Sequence, residues 1–224
     1  MTRTMIAHVL ECRACGAPIT FGAPFCSYCR APAVWGDTVD LERGEDVVAF
    51  DMVRSAPPAN VPGTHTRAGL LVESKADTFS HHIVSRPMRD ACVTIRGTTL
   101  DASGTLGIFA RLNTQGKIKT AYDLRVYPAL RSFTFRRIVW GTKKTHASAM
   151  RESEHSRFIL PPNTMNEIEL RYADSVFQIV INGKRVATVV DPSFGYGAVA
   201  WRAGAMPSMD SRVLIESVYV RRVS

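Results

Sequence analysis

Apolar and polar residues alternate with a period of two along most of the chain after residue 46. In NEIELRYA (166–173), Ile168, Leu170 and Tyr172 fall on one side and Glu167, Glu169 and Arg171 on the other. That alternation marks a strand with one face buried and one in water. VVAFDMV (47–53), RAGLLVE (67–73), HHIVSR (81–86), ACVTIRG (91–97), AYDLRVY (121–127) and SFTFRRIVW (132–140) read the same way. TLGIFARLN (105–113) sets Leu106, Ile108, Ala110 and Leu112 on one expected face. VFQIVI and KRVATVV flank Asn182-Gly183, and Asn-Gly between apolar runs predicts a tight hairpin, because its turn needs positive φ twice. RVLIESVYVRRV (212–223) closes the strands. Only ASAMRESEHS (147–156) admits a short helix.

Many strands without long helices predict an all-β, antiparallel two-sheet sandwich. A more specific expectation comes from the order of the late elements: a strand with alternating acids (NEIELRYA), the hairpin FQIVINGKRVATVVD, the Gly-rich strand FGYGAVAWRAG and the closing VLIESVYVRRV. This series resembles the concanavalin A-like lectin/glucanase superfamily, particularly its laminin G-like and keto-disaccharide hydrolase-like branches. The resemblance covers about residues 90–224 well and 46–90 loosely. It implies a jelly roll whose last strand returns to pair near the domain's beginning, and it makes glycan a candidate ligand.

The chain before residue 46 has a different character. ECRACGAPITFGAPFCSYCR holds four of the five cysteines, as Cys12-x2-Cys15 and Cys26-x2-Cys29. Two thiolates three apart on a turn can face one ion, and two such turns complete a tetrahedron that suits zinc; iron fits the same four ligands. Two disulfides are the competing reading, and the paired spacing favours metal. The window resembles the zinc-ribbon family over about residues 10–32, which implies one structural zinc per chain and contacts with proteins or nucleic acids. The expected organisation is a zinc ribbon over 1–34, a connector over 35–46 and a concanavalin A-like β-sandwich over 47–224. Cys92, in the strand-like ACVTIRG, is expected to be a buried core thiol.

Charge adds one feature. Of the 224 residues, 28 are Lys or Arg and 20 are Asp or Glu, a net charge of +8. The segment 111–157 carries that whole excess, with aromatics interleaved. Lys117, Lys119, Arg125, Arg136, Arg137, Lys143 and Lys144 are the candidates for an anionic-partner patch. Phe133 and Phe135 alternate with Thr134 and Arg136, which is also how an ordinary strand with charges outward looks. Trp140 and Tyr127 are candidates for stacking on sugar rings, and Trp201 reads as core. No stretch approaches the ~18 apolar residues of a membrane span. MTRTMIAHVLECRACG does not read as a signal peptide, so a cytoplasmic or particle-associated location is expected.

Catalytic signatures are sparse. Glycoside hydrolysis needs two carboxylates about 5–9.5 Å apart. Glu167 and Glu169 share a strand face, but the apolar side of that strand is the one expected to be buried, so both read as solvated. There is no G-x-S-x-G elbow, P-loop or G-x-G-x-x-G fingerprint. His81 and His82 are adjacent in a strand and so face opposite ways. The expected function is a non-catalytic binding or assembly protein built from a structural zinc ribbon and a β-sandwich interaction module. It would sit in a larger, phage- or injection-machine-like particle beside a protein partner. The alternatives are a carbohydrate-binding lectin-like module, a saccharide hydrolase, and polyanion or nucleic-acid binding through segment 111–157.

Overall fold

The computed structural model describes residues 63–223 apart from 86, 115–116 and 142–144, together with the backbone of strand residues 10–11, 18–19 and 48–51. The chain divides into two compact units, residues 1–45 and 46–223. In the first, β1 (Leu10–Glu11) pairs antiparallel with β2 (Pro18–Ile19).

The second unit is an antiparallel two-sheet jelly-roll sandwich. Its strands are β3 (Val48–Asp51), β4 (Thr64–Thr66), β5 (Gly69–Ser74), β6 (Phe79–Ile83), β7 (Ala91–Thr99), β8 (Gly104–Asn113), β9 (Lys119–Tyr127) and β10 (Ser132–Trp140). They continue with β11 (Thr145–His155), β12 (Asn166–Ala173), β13 (Val176–Ile181), β14 (Lys184–Val190), β15 (Ala198–Ala205) and β16 (Ser211–Arg222). One sheet has six strands in the order β11-β10-β9-β8-β15-β6. The other has eight: β14-β13-β12-β7-β16-β5-β4, with β3 also on β16. The closing strand β16 pairs with β7 along one edge, and with β5 and then β3 along the other. It therefore returns to the start of the sandwich, as the sequence resemblance implies. The stretch 147–155 is strand rather than helix: β11 pairs along β10, exchanging local helical bonds for a long ladder.

Alternate residues of both sheets meet in one core. The eight-stranded sheet contributes Val93, Ile95, Ile168, Leu170, Val213 and Ile215; the six-stranded sheet contributes Leu106, Ile108, Leu124, Phe133, Phe135 and Trp201. Each fully buried large apolar side chain stabilises the fold by about 1.5–3 kcal/mol. The Asn182-Gly183 turn has φ of 49° and 74°, the pair of positive values its hairpin requires. Asn182 is also a hub. Its Nδ2 donates to the Phe158 carbonyl at 2.7 Å, and its Oδ1 accepts the Glu167 N–H at 2.8 Å.

The expected face of β8 holds only in part. The β8–β9 register shifts between Ala110 and Asn113, and Arg111 has φ of 49°. Leu106, Ile108 and Ala110 point into the core, but the bulge turns Leu112 to the other side, where it packs with Phe109, Ala121, Ile138 and Ala200.

Candidate functional site

The two outer faces of the sandwich differ in their electrostatics. On the eight-stranded sheet, Arg96, Arg171 and Arg221 stand against Glu167, Glu169 and Glu216. Arg171 Nε donates to Glu169 Oε1 at 2.5 Å, and Arg221 lies 4.0 Å from Glu169. Arg96 lies 3.9 Å from both Glu167 and Glu216. Partly exposed pairs of this kind contribute ~0–1 kcal/mol each. Glu167, 45% exposed, is solvated as expected, whereas Glu169 is 14% exposed and accepts from Arg171 and from the Thr94 hydroxyl, so it does not stand free in water. Cys92 sits on this same outer face, opposite Arg171 and Arg221 in the register, and not in the inter-sheet core. It is nonetheless 2% exposed, and burial pushes its thiol pKa up.

The outer face of the six-stranded sheet is built differently. The register aligns His81, Arg202, Gly107, Arg125 and Thr134 in one row across β6, β15, β8, β9 and β10. The next row holds Ile83, Ala200, Phe109, Asp123, Arg136 and Ala149. Ala121 and Ile138 follow, and then Lys119 and Trp140. Ala200, Gly204, Gly107 and Ala121 also lie on this side and all four are buried; Ala200 and Ala121 pack with Phe109, Leu112 and Ile138, and Trp140 lies against them. At Gly107 the small residue is obligatory, because a Cβ would lie 2.1 Å from the Leu124 carbonyl oxygen.

Asp123 organises the middle of this face. It is fully buried, and Arg202 Nη1 donates to both of its carboxylate oxygens at 2.9 Å. Arg125 Nη2 adds a third bond to Oδ2 at 3.1 Å. The Arg202 guanidinium lies 4.2 Å over the Phe79 ring and 5.1 Å from the Phe109 ring. Phe109 in turn meets Phe79, His81 and Trp140 at centroid distances of 5.9 Å. Burial, followed by the positive charges of Arg202, His82 and Lys119, holds the His81 imidazole below its ordinary pKa. Phe79 and Ile83 are each 41% exposed at the β6 edge, and Arg125, Arg136, Tyr127 and Trp140 are half-buried.

The structure sorts the residues singled out from sequence. Lys119, Arg125, Arg136, Trp140 and Tyr127 share this face. Arg137 does not: it lies across from inward-facing Tyr122 and reaches Asp191 at 3.4 Å and Ser193. Lys117 is exposed in the segment before β9. Lys143 and Lys144 lie outside the described residues, as do Cys12, Cys15, Cys26 and Cys29. Arg111, counted in the basic segment, is fully buried. Its guanidinium donates to the carbonyls of Arg89, Phe194 and Asp174, and lies 5.2 Å from the Tyr172 ring. Segment 111–157 therefore does not present one basic surface. His81 and His82 face opposite sides, His82 meeting core Trp201 with ring centroids 6.4 Å apart. Among the described residues no group of three or more His, Cys, Asp or Glu is placed to hold a metal. No described helix is long and apolar enough to cross a membrane.

Sequence reasoning missed Arg202, Asp123, Phe79 and Phe109. The signal for Arg202 was present: in AVAWRAGA, an inward Trp201 forces its neighbour outward.

No protein-family model matches this chain, and no curated protein does. Solved structures match its fold. The carbohydrate-binding module CBM66 from Bacillus subtilis aligns with a TM-score of 0.56 and 16% identity, over 72% of this chain and 92% of that one. The Crh5 transglycosylase aligns at 0.54 with 9% identity, over 80% of this chain and 85% of that one. The Bacillus licheniformis β-glucanase aligns at 0.50 with 6% identity, over 78% of this chain and 98% of that one. At such identities the likeness is one of architecture, and the sandwich shares the antiparallel two-sheet jelly-roll fold of these neighbours.

Proposed function

We propose that this chain is a carbohydrate-binding protein whose sandwich takes a glycan on the outer face of its six-stranded sheet. The observation that carries the reading is the set of half-buried or exposed rings and planar cations on that face: Phe79, Tyr127, Trp140, Arg125 and Arg136. Sugar rings have apolar faces that stack on aromatics and hydroxyls that bond guanidinium groups. The names of the structural neighbours, a carbohydrate-binding module and two carbohydrate-active enzymes, point the same way, as an argument from fold alone. They give no support to an assembly subunit. Binding is favoured over hydrolysis because Asp123 is fully buried and bonded to two arginines, which deprives it of the access an acid or base needs.

Titration of the full chain against a panel of neutral and acidic oligosaccharides tests this. Binding to at least one class, weakened about tenfold or more by Trp140→Ala, is expected. A panel without a single binder refutes it.

For the N-terminal unit we propose one structural zinc held by Cys12, Cys15, Cys26 and Cys29. The CxxC spacing supports it, as does the antiparallel pairing of Leu10–Glu11 with Pro18–Ile19 on either side of the first pair. Elemental analysis of the purified chain should give one zinc, lost on Cys12→Ser. Two disulfides in its place would overturn the assignment.

A further inference from the structure

We propose that the glycan taken by this face is anionic, bearing carboxylate or sulfate groups, and that Arg125 and Arg136 receive the anion above the buried Asp123–Arg202 pair. The proposal rests on the carbohydrate-binding reading and specifies its ligand class.

Charge supplies the first argument. Lys119, Arg125, Arg136 and Arg202 share the face with Asp123, a strong surplus of cations. Asp123 is already committed, with two bonds from Arg202 and one from Arg125. Arg136 lies directly across the ladder from Asp123, yet it makes no ion pair or side-chain hydrogen bond among the described residues. On the opposite outer face Arg96, Arg171 and Arg221 each lie against a glutamate, in contrast to Arg136.

Unsatisfied donors supply the second. The Nε atoms of Arg125, Arg136 and Arg202 and the Thr134 hydroxyl are buried without a hydrogen-bond partner. Such atoms are uncommon in a folded protein, and each needs a cause. Six further atoms are in the same state elsewhere among the described residues, Arg96 Nε on the opposite face among them, and these four share one face. Thr134 faces Arg125 across the ladder, Arg136 follows two residues along β10, and Arg202 lies one strand beyond Gly107. Adjacent strands stand about 5 Å apart, so Arg125 and Arg136, on neighbouring strands, lie within reach of one carboxylate or sulfate, while Arg202 stands two strands from Arg125 and meets it at Asp123. Arginine forks match the planar or tetrahedral oxygens of such groups, and charge-assisted bonds are about twice as strong as neutral ones. A neutral sugar hydroxyl satisfies one donor at a time and leaves the charge unmatched.

The third argument is accessibility. Arg202 and Thr134 are 2% and 1% exposed, whereas Arg125 and Arg136 are half-buried and His81 and Phe79 are exposed on the same side. The deeper groups form a preset base, and the outer two arginines meet the ligand.

The test is calorimetric titration of the full chain at about 150 mM salt, where long-range attraction is screened beyond about 8 Å. The probes are oligogalacturonate for carboxylate, oligo-carrageenan for sulfate, and laminari-oligosaccharide as the neutral control. At least one acidic probe should bind about tenfold tighter than the neutral one. Arg136→Gln should weaken that probe about tenfold and leave the thermal melt unchanged, whereas Lys184→Gln, at a hairpin of the other sheet, should change affinity less than about twofold. Comparing the two acidic probes identifies the anion. Equal binding of neutral and acidic probes, or equal losses in the two variants, overturns the anionic assignment while leaving glycan binding intact. Failure of all three probes and the wider panel overturns both.

Discussion

Asp123→Asn is the sharpest perturbation of the candidate face. Asp123 is fully buried, and the Arg202 side chain is 3% exposed at 2.9 Å from it. Asn keeps the shape but removes the charge, which leaves the Arg202 guanidinium buried without a counter-ion and Arg125 without its ion pair. Removing one partner of such a pair costs about 3–5 kcal/mol. For a unit of about 180 residues, that corresponds to a melting temperature lower by roughly 6–20 °C. Replacing both partners, as Asp123→Leu with Arg202→Met, should recover most of the loss, because the desolvation penalty disappears with the charges. Urea unfolding followed by tryptophan fluorescence reads both variants, since Trp201 neighbours Arg202 and is fully buried. A single variant within about 1 kcal/mol of the parent would refute the electrostatic reasoning, and so would a double variant as unstable as the single one.

Arg111→Met should cost at least about 3 kcal/mol in the same assay, because three carbonyls lose their charged donor where water is scarce. Gly183→Ala should cost about 1–2 kcal/mol with no loss of space, since nothing lies near its missing Cβ and only its φ of 74° resists a side chain. The His81 and His82 pKa values are both held below the ordinary value, chiefly by burial, so the folded state binds fewer protons than the unfolded one in that window. Their contribution to stability is full above about pH 6.5 and is lost as the pH falls through the folded values. A urea midpoint that falls from pH 7.5 to 5, and falls less in a His81→Gln, His82→Gln variant, is the expected result.

The strands, the Asn182-Gly183 hairpin and the return of the closing strand were legible because each depends on local chemistry: alternation, positive φ, and the order of elements. The β8 bulge was not. Strict alternation assigns Leu112 to the core, and only pairing with β9 and β15 shows that the chain turns over at Arg111. The same shift buries an arginine that sequence counting placed in a basic surface. Arg136 and Arg137 could be separated by alternation alone, but their partners could not: Asp191 lies 54 residues from Arg137 in the chain. The Asp123–Arg202 pair spans 79 residues and depends on β15 lying two strands away from β9, across β8. Its members were ordinary strand residues until the sheet order was known.

Under the glycan-binding proposal, that pair suits the face to recognition better than to packing. A buried ion pair is a poor stabiliser compared with two apolar side chains of similar volume. A Leu and a Met at 123 and 202 would join the Phe109, Leu112, Ala121, Ile138 and Ala200 cluster already on this face. Asp123 instead fixes two guanidinium groups, and aromatic rings hold one of them from a second direction. Fixed cations lose little freedom when a ligand arrives, which raises affinity without adding contacts. The carboxylate occupies the inner side of the cluster and leaves the remaining donors for a second anion. The charge thus acts as a mount for the arginines that face outward, and the instability expected of Asp123→Asn is the thermodynamic cost of that arrangement.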